Sequence, residues 1–148
     1  GIDEGNTLKE KLNIAVHCIN FMKKLKKTPK IATLSYARPG DYGRSEEINQ
    51  SLDDAKKLTQ LIEKHTNQKI ENSCVLIDQA IKNKCNILIA PNGIVGNTIF
   101  RTLVLLNSWP SFGAITFGID DIYIDTSRDQ SREGYLRSLE LAYKLAKL

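Results

Sequence analysis

The sequence has only one tryptophan, one methionine and three cysteines among its 148 residues, and no two cysteines stand at C-x-x-C spacing. Cys18, Cys74 and Cys85 are scattered and odd in number, so they read as reduced, mostly buried thiols rather than a disulfide framework or zinc site. The two histidines, His17 and His65, fall in helical patterns without carboxylate or cysteine at ligand spacing. No metal site is expected from them. No apolar run approaches the roughly 20 residues of a membrane span, and no secretory signal pattern opens the chain. The expectation is a cytoplasmic protein without membrane contact. G-x-S-x-G, Walker A and G-x-G-x-x-G are all missing, which argues against the conventional nucleotide-loop enzymes. Neither a glycine-rich S-adenosylmethionine loop nor the Asp-x-His-x-x-Gly of a corrinoid site occurs, so no cofactor is assigned.

Charge of one sign is also in short supply, at a net +4. The densest basic run, Lys23-Lys24-Leu25-Lys26-Lys27, closes a helical pattern, where cations suit the helix dipole. No aromatic residues interleave with these lysines to stack on bases, so nucleic acid is not an expected partner. The length is enough for one domain with a real core, and a single α/β domain over 1–148 is expected. Because the chain opens at Gly1 rather than Met, a segment upstream is also expected.

What is present is an alternation of helix and strand signals. Thr7-Leu8-Lys9-Glu10 is a capping box, followed by apolar residues at Leu8, Leu12, Ala15, Val16, Ile19 and Met22. "KIATLSY" reads as a strand through Tyr36, and "ARPGDYGR" as a loop carrying two glycines and two arginines. Helical spacing resumes from Ser45. A shorter helix is read over Cys74 to Ala80, a buried strand over Asn86 to Ala90, and a helix over Gly96 to Leu106. "FGAITFGI" reads as a strand, and Asp129 to Leu148 as the last helix. Strands separated by helices imply a parallel sheet with right-handed crossovers and helices on both faces. Ligands of such sheets gather beyond the carboxyl ends of the strands. That rim would hold the loop after Tyr36, the Asn92–Asn97 turn and the stretch after Ile119.

Two of these segments carry chemistry. In "PNGIVGN", Gly93 and Asn97 can serve a turn and a helix cap. The same residues, with Asn92 and Gly96, can also aim free amides and a positive helix end at an anion. Ser127-Arg128-Asp129-Gln130 reads as a second capping box, and Arg128 beside it can clamp phosphate or carboxylate in bidentate fashion. Arg44, and Arg38 with it, stand in the glycine loop as surface residues or as further anion ligands. The helix "TIFRTLVLLNSW" is apolar nearly all round, so it must be buried in the core or against a partner. A homodimer is the favoured expectation.

The order "IATLSY", glycine loop, amphipathic helix, "NILIAPNGIVGNTIFR", strand, "DTSRD" resembles the phosphate acetyl/butyryltransferase superfamily. The likeness covers nearly the whole chain but only the C-terminal part of a typical member. Pro91, Gly96, Asn97, Asp125, Ser127 and Arg128 match the motifs residue by residue. Within the superfamily, the chain is similar to a short methanogen subgroup that bears a methyltransferase name.

The resemblance implies a phosphate acetyltransferase-like fold, akin to isocitrate and isopropylmalate dehydrogenases, and a transferase of methanogen metabolism. It also implies a small anionic substrate, phosphate or coenzyme A-like. Ser127 and Arg128 would be catalytic, and Asn92, Gly93, Gly96, Asn97 and Arg44 would bind phosphate. The sequence departs from the superfamily at Asn92 (Asp there), Ile94 (Asn) and Asp129 (Gly). Gly134 stands where the phosphate acetyltransferases carry an Asp as catalytic base, and the superfamily's arginine-bearing N-terminal half has no counterpart in these residues. Two readings therefore stand: a transferase, or a module that binds a phosphate- or coenzyme A-type ligand without turnover.

Overall fold

Thr7 begins the first helix as its capping box requires. Its hydroxyl accepts from the Glu10 amide at 3.2 Å, and the Glu10 carboxylate accepts from the Thr7 amide at 3.2 Å. The resulting helix α1 spans Leu8–Lys24 in the computed structural model, which describes residues 1–126 and 130–148. Strand β1 follows at Ile31–Leu34, then a single 3-10 turn at Pro39–Asp41 inside the glycine loop. Ser45 caps α2 (Glu46–Thr66) by accepting from the Ile48 amide. The chain continues with β2 (Glu71–Cys74), α3 (Ile77–Lys82), β3 (Ile87–Ile89) and α4 (Gly93–Arg101), which runs into a π-helical turn at Thr102–Leu106. Two short strands, β4 (Ala114–Ile115) and β5 (Ile124–Asp125), precede α5 (Arg132–Leu145).

These elements form two compact units, Gly1–Thr98 and Ile99–Leu148, with the division inside α4. The first unit is built on a parallel sheet of order β2-β1-β3. Its central strand is buried at every position, as a strand covered on both faces must be. Helices α1 and α2 pack on each other and on the sheet. The chain moves one way across the sheet through α2 and back through α3, so right-handed crossovers put α3 on the opposite face. The core joins Ala15 and Ile19 of α1, Leu58 and Ile62 of α2, and Ile31, Ile87 and Ile89 of the sheet. Thr33, at the centre of β1, is fully buried, and its hydroxyl lies 2.7 Å from that of Thr59. The parallel α/β architecture is thus the one expected.

Four local expectations need correction. "ENSC" carries no strand signal of its own, since Glu, Asn and Ser are poor strand formers; pairing with β1 (Ala32 opposite Glu71) makes it one. The helix expected from Cys74 begins instead at Ile77, since Cys74 takes a left-handed backbone (φ 52°) that ends β2. The second unit holds an antiparallel pair, Ala114 opposite Asp125 and Ile115 opposite Ile124, where one longer strand was expected. Gly113 (φ +84°) admits that pairing, because a Cβ there would lie 2.6 Å from Ile124 Cγ2. In the same unit α5 starts at Arg132, not Asp129. Its N-cap is Ser131, which accepts from the Gly134 amide, so Gln130 is not a third helical residue.

At the amino ends of the strands, Glu71 gathers a polar cluster. Ser73 Oγ donates to its carboxylate, Asn83 Nδ2 donates to both oxygens at 3.0 Å, and Lys30 lies close by. The Ser73 hydrogen bond, then those of Asn83 and Cys85 and the Lys30 charge, hold the Glu71 carboxyl below its usual range. A carboxyl lowered by folding stabilises the native state above its unfolded pKa of about 4.3, and that contribution disappears as pH falls through the lower native value. Glu71→Gln should therefore lower the urea midpoint at pH 7 and leave it close to wild type near pH 3. An equal gap at both pH values would contradict this account.

Candidate functional site

The carboxyl ends of β1 and β3 open together. Beyond β1 the chain reaches Tyr36, whose amide is held by Ser51 Oγ of α2 at 3.0 Å. Beyond β3 it reaches Pro91 and Asn92. The Asn92 side chain does two things at once. Its Oδ1 accepts from the Val95 amide at 2.9 Å and so caps α4, while its Nδ2 donates to the Tyr36 hydroxyl at 2.7 Å. The helix start thus sits at the rim where ligands of parallel sheets collect. A cleft of about 230 Å³ lies here, lined by residues of α1, α2, the β1 end and the Pro91-Asn92 turn.

Gly93 is the first residue of α4 rather than part of a preceding turn, and Gly96 and Asn97 lie within the helix. The Gly93 amide donates to the Glu4 carbonyl at 3.0 Å, and the Gly96 amide to the Asn92 carbonyl at 3.0 Å. The two glycines do admit a close neighbour, and in this chain it is the chain itself. A Cβ on Gly93 would lie 2.2 Å from the Gly1 carbonyl oxygen and 2.7 Å from that of Ile2, and one on Gly96 would lie 3.3 Å from Ala90 Cβ. An anion at this helix start would therefore meet the Asn92 and Asn97 side chains and the dipole rather than these two amides. Asn97 is exposed one turn into α4, so the cap is Asn92.

Arg44 stands on the surface, 73% exposed, with Nε 3.1 Å from Asp41 Oδ1. An exposed pair of this kind is worth about 0–1 kcal/mol, so it leaves the guanidinium easily recruited by an anion. Arg38 is exposed as well, and its amide is held by the Asp41 carboxylate. Ser127 and Arg128 lie outside the described residues. The remaining sequence-predicted residues divide accordingly. Asn92, Gly93, Gly96 and Asn97 share the α4 start, and Arg44 belongs to the loop that follows β1.

Other chemistry in the described residues is limited. Burial pushes the Cys18 thiol up, and burial together with the Glu71 carboxylate pushes Cys85 up, so neither is a thiolate nucleophile near neutral pH. Among the described residues no group of three His, Cys, Asp or Glu side chains could hold a metal ion, and no helix is long and apolar enough to cross a membrane.

No family model matches the chain. Among curated proteins it is 37% identical over 129 residues to "Putative methyltransferase mtx subunit X" of Methanosarcina mazei, covering 86% of this chain and 45% of that protein. It is 32% identical over 139 residues to "Uncharacterized methyltransferase MJ1371" of Methanocaldococcus jannaschii, covering 93% and 56%. The chain is similar to the mtx subunit X proteins over most of its own length. It spans about half the length of these curated relatives.

Among solved structures it superposes on a phosphotransacetylase from Streptococcus pyogenes with TM-score 0.70 and 23% identity, covering 100% of this chain and 48% of that one. A branched-chain phosphotransacylase from Enterococcus faecalis gives TM-score 0.70 and 21% identity over 99% and 57%. The fold is therefore phosphotransacetylase-like, as the motifs of the sequence implied.

Sequence reasoning passed over the polar groups of the cleft, among them Lys11, Tyr36, Glu47 and Asp54. Lys11 had a signal: it stands at i, i+4, i+8 spacing with Ala15 and Ile19, on the stripe of α1 that faces inward. Tyr36 had none beyond its place at a strand end. The packing at the helix start yields a direct test. Gly93→Ala should displace the first residues of the chain, with a loss of about 1–3 kcal/mol typical of overpacking and faster protease cleavage before Thr7. Gly96→Ala should change stability by less than about 1 kcal/mol, because helix propensity gained offsets a mild contact. Equal behaviour of the two variants would show that Gly93 is not so enclosed.

Proposed function

We propose that the chain is the C-terminal part of a cytoplasmic methanogen transferase that handles a small anionic substrate of the phosphate or coenzyme A type at the α4 rim. The observation that carries this is the α4 start itself. It is capped by Asn92, tied to the β1 end through Tyr36, and stands at the carboxyl edge of a parallel sheet. A helix N-terminus favours an anion by about 0.3–1 kcal/mol when exposed and up to about 2 when partly buried. That is too little to bind a substrate, so side-chain cations must supply the rest. The superfamily resemblance assigns the clamp to Arg128 and the second catalytic role to Ser127. Asn92, Asn97 and Arg44 supply the side chains of the binding side, and Gly93 and Gly96 shape the helix start without offering free amides. Methyl transfer is the activity in the names of the relatives, and phosphate-linked acyl transfer the one in the names of the structural neighbours.

One observation favours the alternative of a ligand-binding module without turnover. Gly134, at the position of the superfamily's catalytic Asp, is buried in the first turn of α5 with its amide on Ser131 Oγ. Acyl transfer to phosphate lacks its base there, which leaves a phosphate-binding scaffold without that chemistry.

If Arg128 clamps the anion, phosphate or coenzyme A should raise the melting temperature of the wild-type chain and Arg128→Ala should abolish the shift. Ligand at about 100 times its Kd adds roughly 2.7 kcal/mol to stability, a shift that calorimetry reads directly. No shift with either compound at millimolar concentration would remove the anion-site reading.

The homodimer is proposed on separate grounds. Phe100, Leu105, Leu106 and Trp109 are 40%, 50%, 82% and 42% exposed along the segment expected to be buried. Large apolar side chains exposed repeatedly along one segment suit an interaction site. Light scattering should give twice the 16.6 kDa chain mass at micromolar concentration. A monomer would remove the dimer.

A further inference from the structure

The cleft at the carboxyl ends of β1 and β3 holds a group that the proposed anion rim does not use. Lys11 is only 6% exposed. Its ammonium donates to the Pro91 carbonyl at 2.9 Å and meets no carboxylate within ion-pair distance among the described residues. An ammonium with one hydrogen bond at a cleft wall has two further N–H groups, which a ligand or water in the cleft can satisfy. A lysine kept for structure alone would be paired, or replaced by the leucine or methionine that its place beside Ala15 and Ile19 invites.

Across the same cleft stand acceptors with spare capacity. Asp54 accepts from Gln50 Nε2 at 2.8 Å through one oxygen, leaving the other unmatched among the described residues. Glu47, also in the lining, has no hydrogen bond or ion pair there. The Tyr36 hydroxyl accepts from Asn92 and keeps its own proton to donate. Leu34 and Leu58 add an apolar wall.

One cation against two carboxylates makes the ionisable lining net negative, which disfavours a phosphate dianion. It suits a ligand that brings both signs. We infer that this cleft binds a small zwitterion, with its carboxylate on Lys11 and Tyr36 and its ammonium on Asp54 and Glu47. A volume of about 230 Å³ lies below the range of roughly 300–1,000 Å³ of drug-sized sites, so it admits a molecule of amino-acid size. The site is independent of the rim reading, although Asn92 borders both.

The test uses the whole chain and a ladder of probes: glycine, β-alanine and 4-aminobutyrate as zwitterions of increasing span, acetate and ethylamine as the two half-ligands, and inorganic phosphate. Calorimetric titration at millimolar concentration should show at least one zwitterion bound more tightly than either half-ligand. Lys11→Met should weaken that zwitterion about tenfold to hundredfold, the loss of one charge-assisted contact. Asp54→Asn, on the partly exposed face of α2, offers a second variant whose folding is not in question. It should weaken the zwitterion while leaving acetate unchanged.

The inference is overturned if no zwitterion binds, if acetate binds as tightly as the best of them, or if Lys11→Met shifts the melting temperature but not the affinity. Phosphate stabilisation without zwitterion binding would leave the rim reading standing and remove only this one.

Discussion

The register between β1 and β3 is the constraint on which the rest of the first unit depends. Ile31 lies opposite Ile87 and Thr33 opposite Ile89, a constant offset of 56 positions. Tyr36 and Asn92 are separated by the same 56 positions, and their side chains meet at 2.7 Å. The pairing of two apolar strands thus carries straight through to a polar contact beyond their ends. A slip of one residue would turn every β1 side chain to the other face. It would also move Tyr36 away from Asn92, remove the partner that orients the α4 cap, and shift Pro91 off Lys11.

That register is held by packing on one side and by buried polar groups on the other. Ile31, Ile87 and Ile89 join a single core with Ile19 and Ile62, while Thr33 finds Thr59 across the sheet–helix interface. Apolar contacts alone would tolerate some sliding, because burial is roughly proportional to area and blind to direction. A buried hydroxyl must find its partner, since leaving it unmatched costs about 1–3 kcal/mol. Thr33 therefore adds direction to a contact that Ile31 supplies with strength. Lys11 does the same at the rim through the Pro91 carbonyl.

Much of this was legible in the sequence, and the parts that were not share a cause. The capping box at Thr7, the helical spacing from Ser45 and the buried runs of β1 and β3 are local signals with local causes, and each element formed there, although β1 ends at Leu34 rather than Tyr36. The helix expected from Gly96 begins three residues earlier because Asn92 offers a cap at Val95, and the last helix begins three residues later because Ser131 serves as its cap. Strand β2 was invisible because Glu71-Asn72-Ser73 acquires strand geometry only from its neighbour. The anion site was legible as a motif, "PNGIVGN", but not as a geometry. Nothing local says that the Gly93 amide is taken by Glu4 or that Gly1 and Ile2 lie against that glycine. Lys11 is the clearest case: its place on the inward stripe was readable, its carbonyl partner 80 positions away was not.

That distance governs when the cleft can exist. Its walls come from α1, α2 and the turn after β3, so the contacts that define it close loops of 56 and 80 positions. Local helices form in microseconds or less, whereas contacts of such span wait for the loops to close. On a growing chain α1 and α2 are complete long before the Pro91 carbonyl and the Asn92 amide exist. Until those two residues are made, Lys11 and the inward faces of both helices have no counterpart at the rim. The cleft is therefore among the last features of its unit to assemble during synthesis, and a nascent chain stopped short of Asn92 carries its helices without any binding site.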